Sequence, residues 1–215
     1  MDEREEDRLK VLHYIPCYQQ RTYIQVAHQC VYEAAALSQQ DIRYQPWWTD
    51  GHDIASMRNH ALGTALGENF DYICMQDSDV YSPGTEGAIS RLVESAQSHG
   101  AALTAAICGL RWTGTETINP NVKPFDEGIY EAERAGTGLV LIDCVQVKAW
   151  DYDGPWFART YTTTRQTKID YGEDFFFSAL CQQQCAKIIV DSRIETKHVY
   201  TDHERLHYTP KVTRA

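Results

Sequence analysis

No apolar run in the 215 residues approaches the roughly 20 needed to cross a bilayer, so a membrane span is not expected. The opening stretch, Met1-Asp2-Glu3-Arg4-Glu5-Glu6-Asp7-Arg8, lacks the apolar core of a secretory leader and reads as a charged tail over 1–8. The expected setting is therefore cytoplasmic, in the host cell if the source is viral. Positive charge is in deficit: 20 Lys and Arg against 30 Asp and Glu give a net charge of −10. That balance argues against a nonspecific grip on nucleic acid, whose affinity comes mostly from phosphate neutralisation. A local basic cluster in one loop, Arg159, Arg165 and Lys168, is the exception. The cysteines lack pairing signals. Seven are present (Cys17, Cys30, Cys74, Cys108, Cys144, Cys181 and Cys185), with no C-x-x-C spacing and several inside apolar runs, which points to buried reduced thiols and not to a disulfide framework or a zinc site. There is no internal repeat and no low-complexity linker.

What is present is ordinary in bulk, with 43% hydrophobic and 23% charged residues, and the length suits a single domain. Strand and helix patterns alternate. Val11 to Tyr18 reads as a first strand, and Thr22 to Ser38 carries helical spacing with Ile24, Ala27, His28, Val31 and Ala35 on one face. A short strand over Ile42 to Trp47 and a helix over Ile54 to Leu66, opened by Asp53 or Ser56, come next. The apolar run ending at Gln76, a helix from about Thr85 to Ser98 and a buried strand over Ala101 to Cys108 complete the first half. From 109 to 136 the chain is rich in Gly, Thr, Pro and Asn, which suggests loops and short antiparallel strands. Gly138 to Cys144 is an apolar strand, and Asp151 to Lys168 a long polar and aromatic loop. Glu173 to Gln184 is a helix, Lys187 to Val190 a strand, and Glu195 to Tyr200 a last strand or loop. The pattern predicts one α/β domain over 9–215, with a mostly parallel sheet and a partly antiparallel C-terminal half.

The most informative stretch is Asp71-Tyr72-Ile73-Cys74-Met75-Gln76-Asp77-Ser78-Asp79-Val80. A strand-like run ends in two carboxylates two residues apart, then turns at Tyr81-Ser82-Pro83-Gly84. Side chains two apart on a strand point to the same side, so Asp77 and Asp79 would converge where the strand leaves the sheet. Oxygen ligands of that kind suit a hard divalent cation with open positions for water or phosphate. A plain polar Asp-Ser-Asp turn is the bland alternative.

The order of motifs resembles the GT-A fold of nucleotide-sugar glycosyltransferases, most of all its small, minimal members, including viral ones. The matching pieces are Ile15-Pro16-Cys17-Tyr18 closing the first strand, Ser56-Met57-Arg58-Asn59-His60-Ala61-Leu62 opening a helix, and Asp77-Ser78-Asp79. They continue with Ala135-Gly136-Thr137-Gly138-Leu139-Val140-Leu141-Ile142, Tyr171-Gly172-Glu173-Asp174, Asp191 and His198, so the resemblance spans about residues 9 to 203. It implies that Asp79 binds a metal directly, that Asp77 faces ribose or a metal-bound water, and that His198 completes the metal site. The family pattern of His-x-Gly is only partly met by His198-Val199-Tyr200, with His203 and His207 as competitors. Mixed oxygen and nitrogen ligation favours Mn²⁺ over Mg²⁺.

The same resemblance makes Asp174 the general base of an inverting transfer. Glu173 would contact the acceptor or orient the loop, although both acids could simply complement a helix dipole. The nucleotide is expected against Pro16 and Tyr18, with Ser78 in the carboxylate turn beside it. This matches the tendency of ligands to bind beyond the carboxyl ends of parallel strands. Arg58 suits phosphate or uracil oxygens, Asn59 could add a hydrogen bond, and Asp50 could read a pyrimidine edge. The Gly136-Thr137-Gly138 turn would let backbone approach the sugar. Trp112 and Trp156 border the expected acceptor region, and the 151–168 loop could act as a lid. The donor is expected to be a UDP-sugar, with GDP possible, and the acceptor a glycan, glycoprotein or small molecule; the acidic balance disfavours a nucleic acid acceptor. Two other readings stay open. A nucleotidyltransferase of related fold would normally carry a Gly-rich phosphate loop, which Pro16-Cys17-Tyr18-Gln19-Gln20-Arg21 does not. A non-catalytic nucleotide-sugar-binding module is the other.

Overall fold

The structure is a computed structural model that describes residues 8–17, 22–51, 53–83, 87–107, 127–163, 168–199 and 207–208. The expectations for Tyr18, Cys108, Trp112, Arg165 and His203, and for most of the loop over 109–136, lie outside the described residues. In chain order the elements are β1 (Lys10–Cys17), α1 (Ile24–Gln39), β2 (Arg43–Asp50), α2 (Ile54–Gly67), β3 (Tyr72–Gln76), β4 (Val80–Tyr81), α3 (Ala88–His99) and β5 (Leu103–Ile107). They continue with β6 (Ile129–Glu131), β7 (Leu139–Asp143), α4 (Cys144–Lys148), β8 (Thr160–Thr163), β9 (Lys168–Tyr171), α5 (Glu173–Gln183), β10 (Ile188–Glu195), β11 (Lys197–Val199) and β12 (His207–Tyr208).

The central sheet has seven strands in the order β2-β1-β3-β7-β5-β10-β6. The pairs β2/β1, β1/β3 and β5/β10 are parallel, and β7 and β6 run against their neighbours, so five of the seven strands share one direction. The mostly parallel sheet with an antiparallel element in its second half is thus the architecture found. A smaller sheet, β12-β11-β4, brings the late histidine segment back to the exit of β3. The loop over 151–168 is partly structured, because its end pairs as the β8/β9 hairpin, and α4 is a short helix that the apolar run before it did not announce.

Both faces of the sheet are covered, which is why its strands read as nearly unbroken apolar runs. Period-two alternation divides them. Leu12, Tyr14, Ile73, Met75, Val140 and Ile142 pack on one face with α2 and α5. Val11, Tyr72, Cys74, Leu139 and Leu141 pack on the other with α3 and Leu37 of α1. Asp53 caps α2 by accepting from Ser56 N at 2.9 Å, and Gly100, at φ 61°, closes α3 in the left-handed region that glycine enters without strain.

The helix expected from 22 to 38 is α1, and its face with Ile24, His28, Val31 and Ala35 is exposed, Ile24 and Val31 at 65% and 67%, while Val26, Gln29, Cys30, Glu33 and Leu37 are buried. The reason is a chain of buried polar groups beneath α1, in which Gln29 and Glu33 find partners. Cys17, Cys30, Cys74, Cys144 and Cys181 are buried free thiols, as expected, but Cys185 is exposed. No described helix is long and apolar enough to cross a membrane.

Candidate active site

The C-terminal end of β3 points its last side chains to opposite faces of the sheet. Met75 lies on the α2/α5 face. Asp77, two residues further, keeps that face and meets Arg58, whose Nη2 donates to Asp77 Oδ1 at 2.6 Å. Arg58 Nη1 donates to Glu173 Oε1 at the start of α5. Only 2% of the Arg58 side chain is exposed, against 34% for Asp77 and 13% for Glu173. A guanidinium this deeply buried is tolerable because its flat fork engages two carboxylates at once. Its Nε is buried without a partner among the described residues. Arg58, expected to meet phosphate or uracil oxygens, is here a buried cross-link between α2, the exit of β3 and α5.

Negative charge outweighs positive here. Burial pushes the Asp77 carboxyl up to about 6; Arg58 opposes this, while Asp79, Glu173 and Asp174 add to it. Asp174 is also raised, by burial first, with its bond from Phe175 N at 2.8 Å and the Arg58 charge working against that. Desolvation thus outweighs the backbone N–H and the guanidinium that favour the charged form of Asp174 at the start of α5. A carboxylate with a raised pKa is a better proton acceptor near neutral pH.

The glycines are placed around this carboxylate. A Cβ on Gly172 would stand 2.6 Å from Asp174 Oδ1, so only glycine leaves that oxygen where it is. A Cβ on Gly136 would meet Asp174 Oδ2 at 3.7 Å, an ordinary contact. Thr137 is buried, and Gly138 O accepts from Asp77 N at 3.0 Å, tying the Gly136-Thr137-Gly138 turn to the carboxylate turn.

That carboxylate turn is closed by Val80 N donating to Asp77 O at 3.0 Å, and Ser78 O accepts from Tyr23 N at 3.4 Å. Asp79 O accepts from Val199 N at 2.7 Å, and His198 is opposite Val80 in the β4/β11 pairing. Asp79 and His198, distant in sequence, thus lie on adjacent paired segments, with His198 buried at 9% exposure. Among the described residues no group of three or more His, Cys, Asp or Glu side chains is arranged to hold a metal ion. Carboxylates outnumber the single guanidinium here, a donor set whose chemistry is that of hard-cation sites.

Pro16 is buried within β1 opposite Thr49, and Cys17 pairs with Asp50, so the ends of β1 and β2 stand side by side at this edge of the sheet. The Asn59 amide is engaged elsewhere: it donates to Phe157 O at 2.6 Å and Ala55 O at 2.9 Å, and accepts from Phe157 N at 3.0 Å. In this arrangement it secures the aromatic loop. Phe157 in turn stacks on Phe177 of α5 at 5.0 Å between ring centroids. Beside this loop runs a groove of about 740 Å³, lined among others by Asp53, Ser56, Asn59, Asp153, Trp156 and Arg159. Asp191 is remote from these groups in its contacts, bonded by Ser95 and Arg193 at 2.7 Å each.

Gln76, Gln29 and His13, which no motif singles out, are buried beside the carboxylate turn, on the α1 side of the sheet.

No protein-family model and no curated protein matches the sequence. Among solved structures the chain resembles A197 from STIV, with a TM-score of 0.61 over 94% of this chain and 90% of that one, at 18% identity. The two share a fold. Fainter likenesses are to a glycosyltransferase involved in the glycosylation of the major capsid of PBCV-1 (TM-score 0.37, 11% identity, 68% of this chain and 69% of that one) and to apo UDP-glucose pyrophosphorylase (TM-score 0.41, 10% identity, 85% and 73%). At those scores neither bears on the activity of this chain.

Proposed function

We propose that the chain is a nucleotide-sugar-dependent glycosyltransferase that passes a sugar from a nucleotide diphosphate, UDP by preference, to an acceptor hydroxyl. The observation that carries this reading is Arg58 held between Asp77 and Glu173, which joins the carboxylate turn after β3 to the start of α5 and so brings Asp174 to it. In this reading Asp174 accepts the proton of the attacking hydroxyl, its raised pKa suiting that step. Attack from its side displaces the nucleotide with inversion at the anomeric carbon. Asp77 gives one oxygen to Arg58 and keeps the other for a ribose hydroxyl or a metal-bound water. Asp79 and His198 would hold Mn²⁺ or Mg²⁺, which when bound neutralises charge on the departing diphosphate. The base and ribose would lie at the ends of β1 and β2, near Pro16 and Asp50. The acceptor would approach along the groove beside Trp156.

Thermal unfolding with a panel of nucleotide sugars and Mn²⁺ tests this. A UDP-sugar at a hundred times its Kd should raise the melting temperature by about 5–10 °C, from about 2.7 kcal/mol of linkage in a chain of this length. Asp79→Ala should abolish the shift. Donor binding unchanged after chelation would remove Asp79 from the role given it. Release of pyrophosphate from a nucleoside triphosphate and a sugar phosphate would replace the reading with nucleotidyl transfer.

A further inference from the structure

Gln76 is the last residue of β3, and its side chain faces away from the acidic site, beneath α1. Its Oε1 lies 2.8 Å from His13 Nε2, and its Nε2 donates to Val80 O at 2.6 Å and to Gln29 Oε1 at 3.0 Å. Gln29 Oε1 also accepts from Ser82 N at 2.9 Å, while Gln29 Nε2 donates to Glu33 Oε1 at 3.3 Å. Every polar atom of both amides is used. His13 is fully buried; because the Gln76 oxygen must accept, His13 Nε2 carries the proton, and Nδ1 accepts from the Tyr44 hydroxyl at 2.6 Å. The Gln76 amide is oriented by Val80 O, which can only accept, and His13 of β1 and Tyr44 of β2 complement it.

The targets of these amides are the two backbone groups that follow the carboxylates. Val80 O and Ser82 N flank the exit of the turn, and the Ser82 hydroxyl continues the chain to Glu195 O at 2.8 Å, at the end of β10. Without the glutamines, a buried carbonyl and a buried N–H would lose their partners. On the other face of the sheet, Arg58 holds Asp77 by its carboxylate. The turn is therefore gripped from both faces.

We propose that Gln76 and Gln29 are positioning residues that set the Asp77–Ser82 turn, and with it Asp79 and the paired His198 strand, for binding the diphosphate of the donor. The inference rests on the transferase reading given above. It goes beyond it in assigning part of donor affinity to side chains that touch neither donor nor cation.

The test compares wild type with Gln29→Leu and with the isosteric Gln76→Glu, which keeps the volume of Gln76 but has no N–H for Val80 O. In ligand-free protein, amide exchange at Val80 and Val199 should become about tenfold faster in both variants, the effect of losing one buried hydrogen bond, with Ala105 in β5 unchanged. The donor KM with Mn²⁺ should rise about tenfold, with a smaller change in kcat, and excess Mn²⁺ should recover part of the loss. Val147→Ala, a core change in α4 away from the turn, should lower the melting temperature and leave KM alone. Unchanged exchange in the turn, or loosened exchange with unchanged KM, overturns the proposal. If Gln29→Leu does not fold, Gln76→Glu carries the test. A wild type that turns over no nucleotide sugar, with a turn that still loosens in the variants, leaves the clamp standing and removes the transferase reading.

Discussion

Replacing Arg58 by Met is the sharpest perturbation of the site. Methionine fills most of the same volume but leaves Asp77 and Glu173 facing each other without the charge between them. Breaking one side of a buried ion pair typically costs 3–5 kcal/mol. Asp77 keeps 34% of its side-chain surface in solvent, so the low end applies, about 3 kcal/mol. For a chain of this length that is a fall of about 6–12 °C in melting temperature. Urea midpoints at about pH 8 and about pH 5 add a second reading. Without Arg58 the Asp77 carboxyl rises above its present value of about 6, so acid protonates it and most of the penalty should disappear at the lower pH. The double variant Arg58→Met with Asp77→Asn should lose less than the sum of the two singles, because the sites are in direct contact. A loss under about 1 kcal/mol, or one equal at both pH values, would show that the guanidinium does not hold the two acids together.

Other expectations follow from single groups. Gly172→Ala should leave stability within about 1 kcal/mol, since the atom it strikes is the free end of a side chain, yet lower kcat by displacing Asp174; unaltered kcat would show that the position of Asp174 is unimportant. Asp174→Asn should keep donor binding in a thermal-shift assay and lower turnover by about 10²–10⁴-fold, and near-normal turnover would exclude it as the base. Glu33 is buried with its pKa raised from 4.5 to about 7, so its contribution to stability is present below pH 4.5 and lost as pH rises through about 7. Chemical denaturation should therefore find Glu33→Gln gaining on wild type by up to about 3 kcal/mol across that window, whereas parallel pH profiles would refute it. Asn59→Ala should free the Phe157 backbone and speed proteolysis within the aromatic loop; unchanged cleavage would show that Phe177 stacking alone secures it.

The fold was legible where a single periodicity ruled. Apolar runs mark β3 and β7 as strands covered on both faces, and the Asp53 cap marks the start of α2. Which face of α1 turns inward was not legible. In α1 the apolar residues Ile24 and Val31 face out because Glu33 and Gln29 have partners inside: Ile89 N reaches Glu33 Oε2 at 3.0 Å, and Ser82 N reaches Gln29 at 2.9 Å. Those partners lie more than fifty residues away, so no local window contains them.

Of the site, the chemistry of each group was written in the chain: carboxylates two apart at a strand end, an arginine in a helix, and an acid pair after a glycine. Residue type and spacing determine that much, because they need only the geometry of one strand or one helical turn. Which charges meet was decided by tertiary structure alone. Nothing in the chain pairs Arg58 with Asp77 and Glu173 until α2 is laid against the exit of β3 and the start of α5. The rise in the pKa of Asp174 likewise comes from burial among segments that only folding brings together.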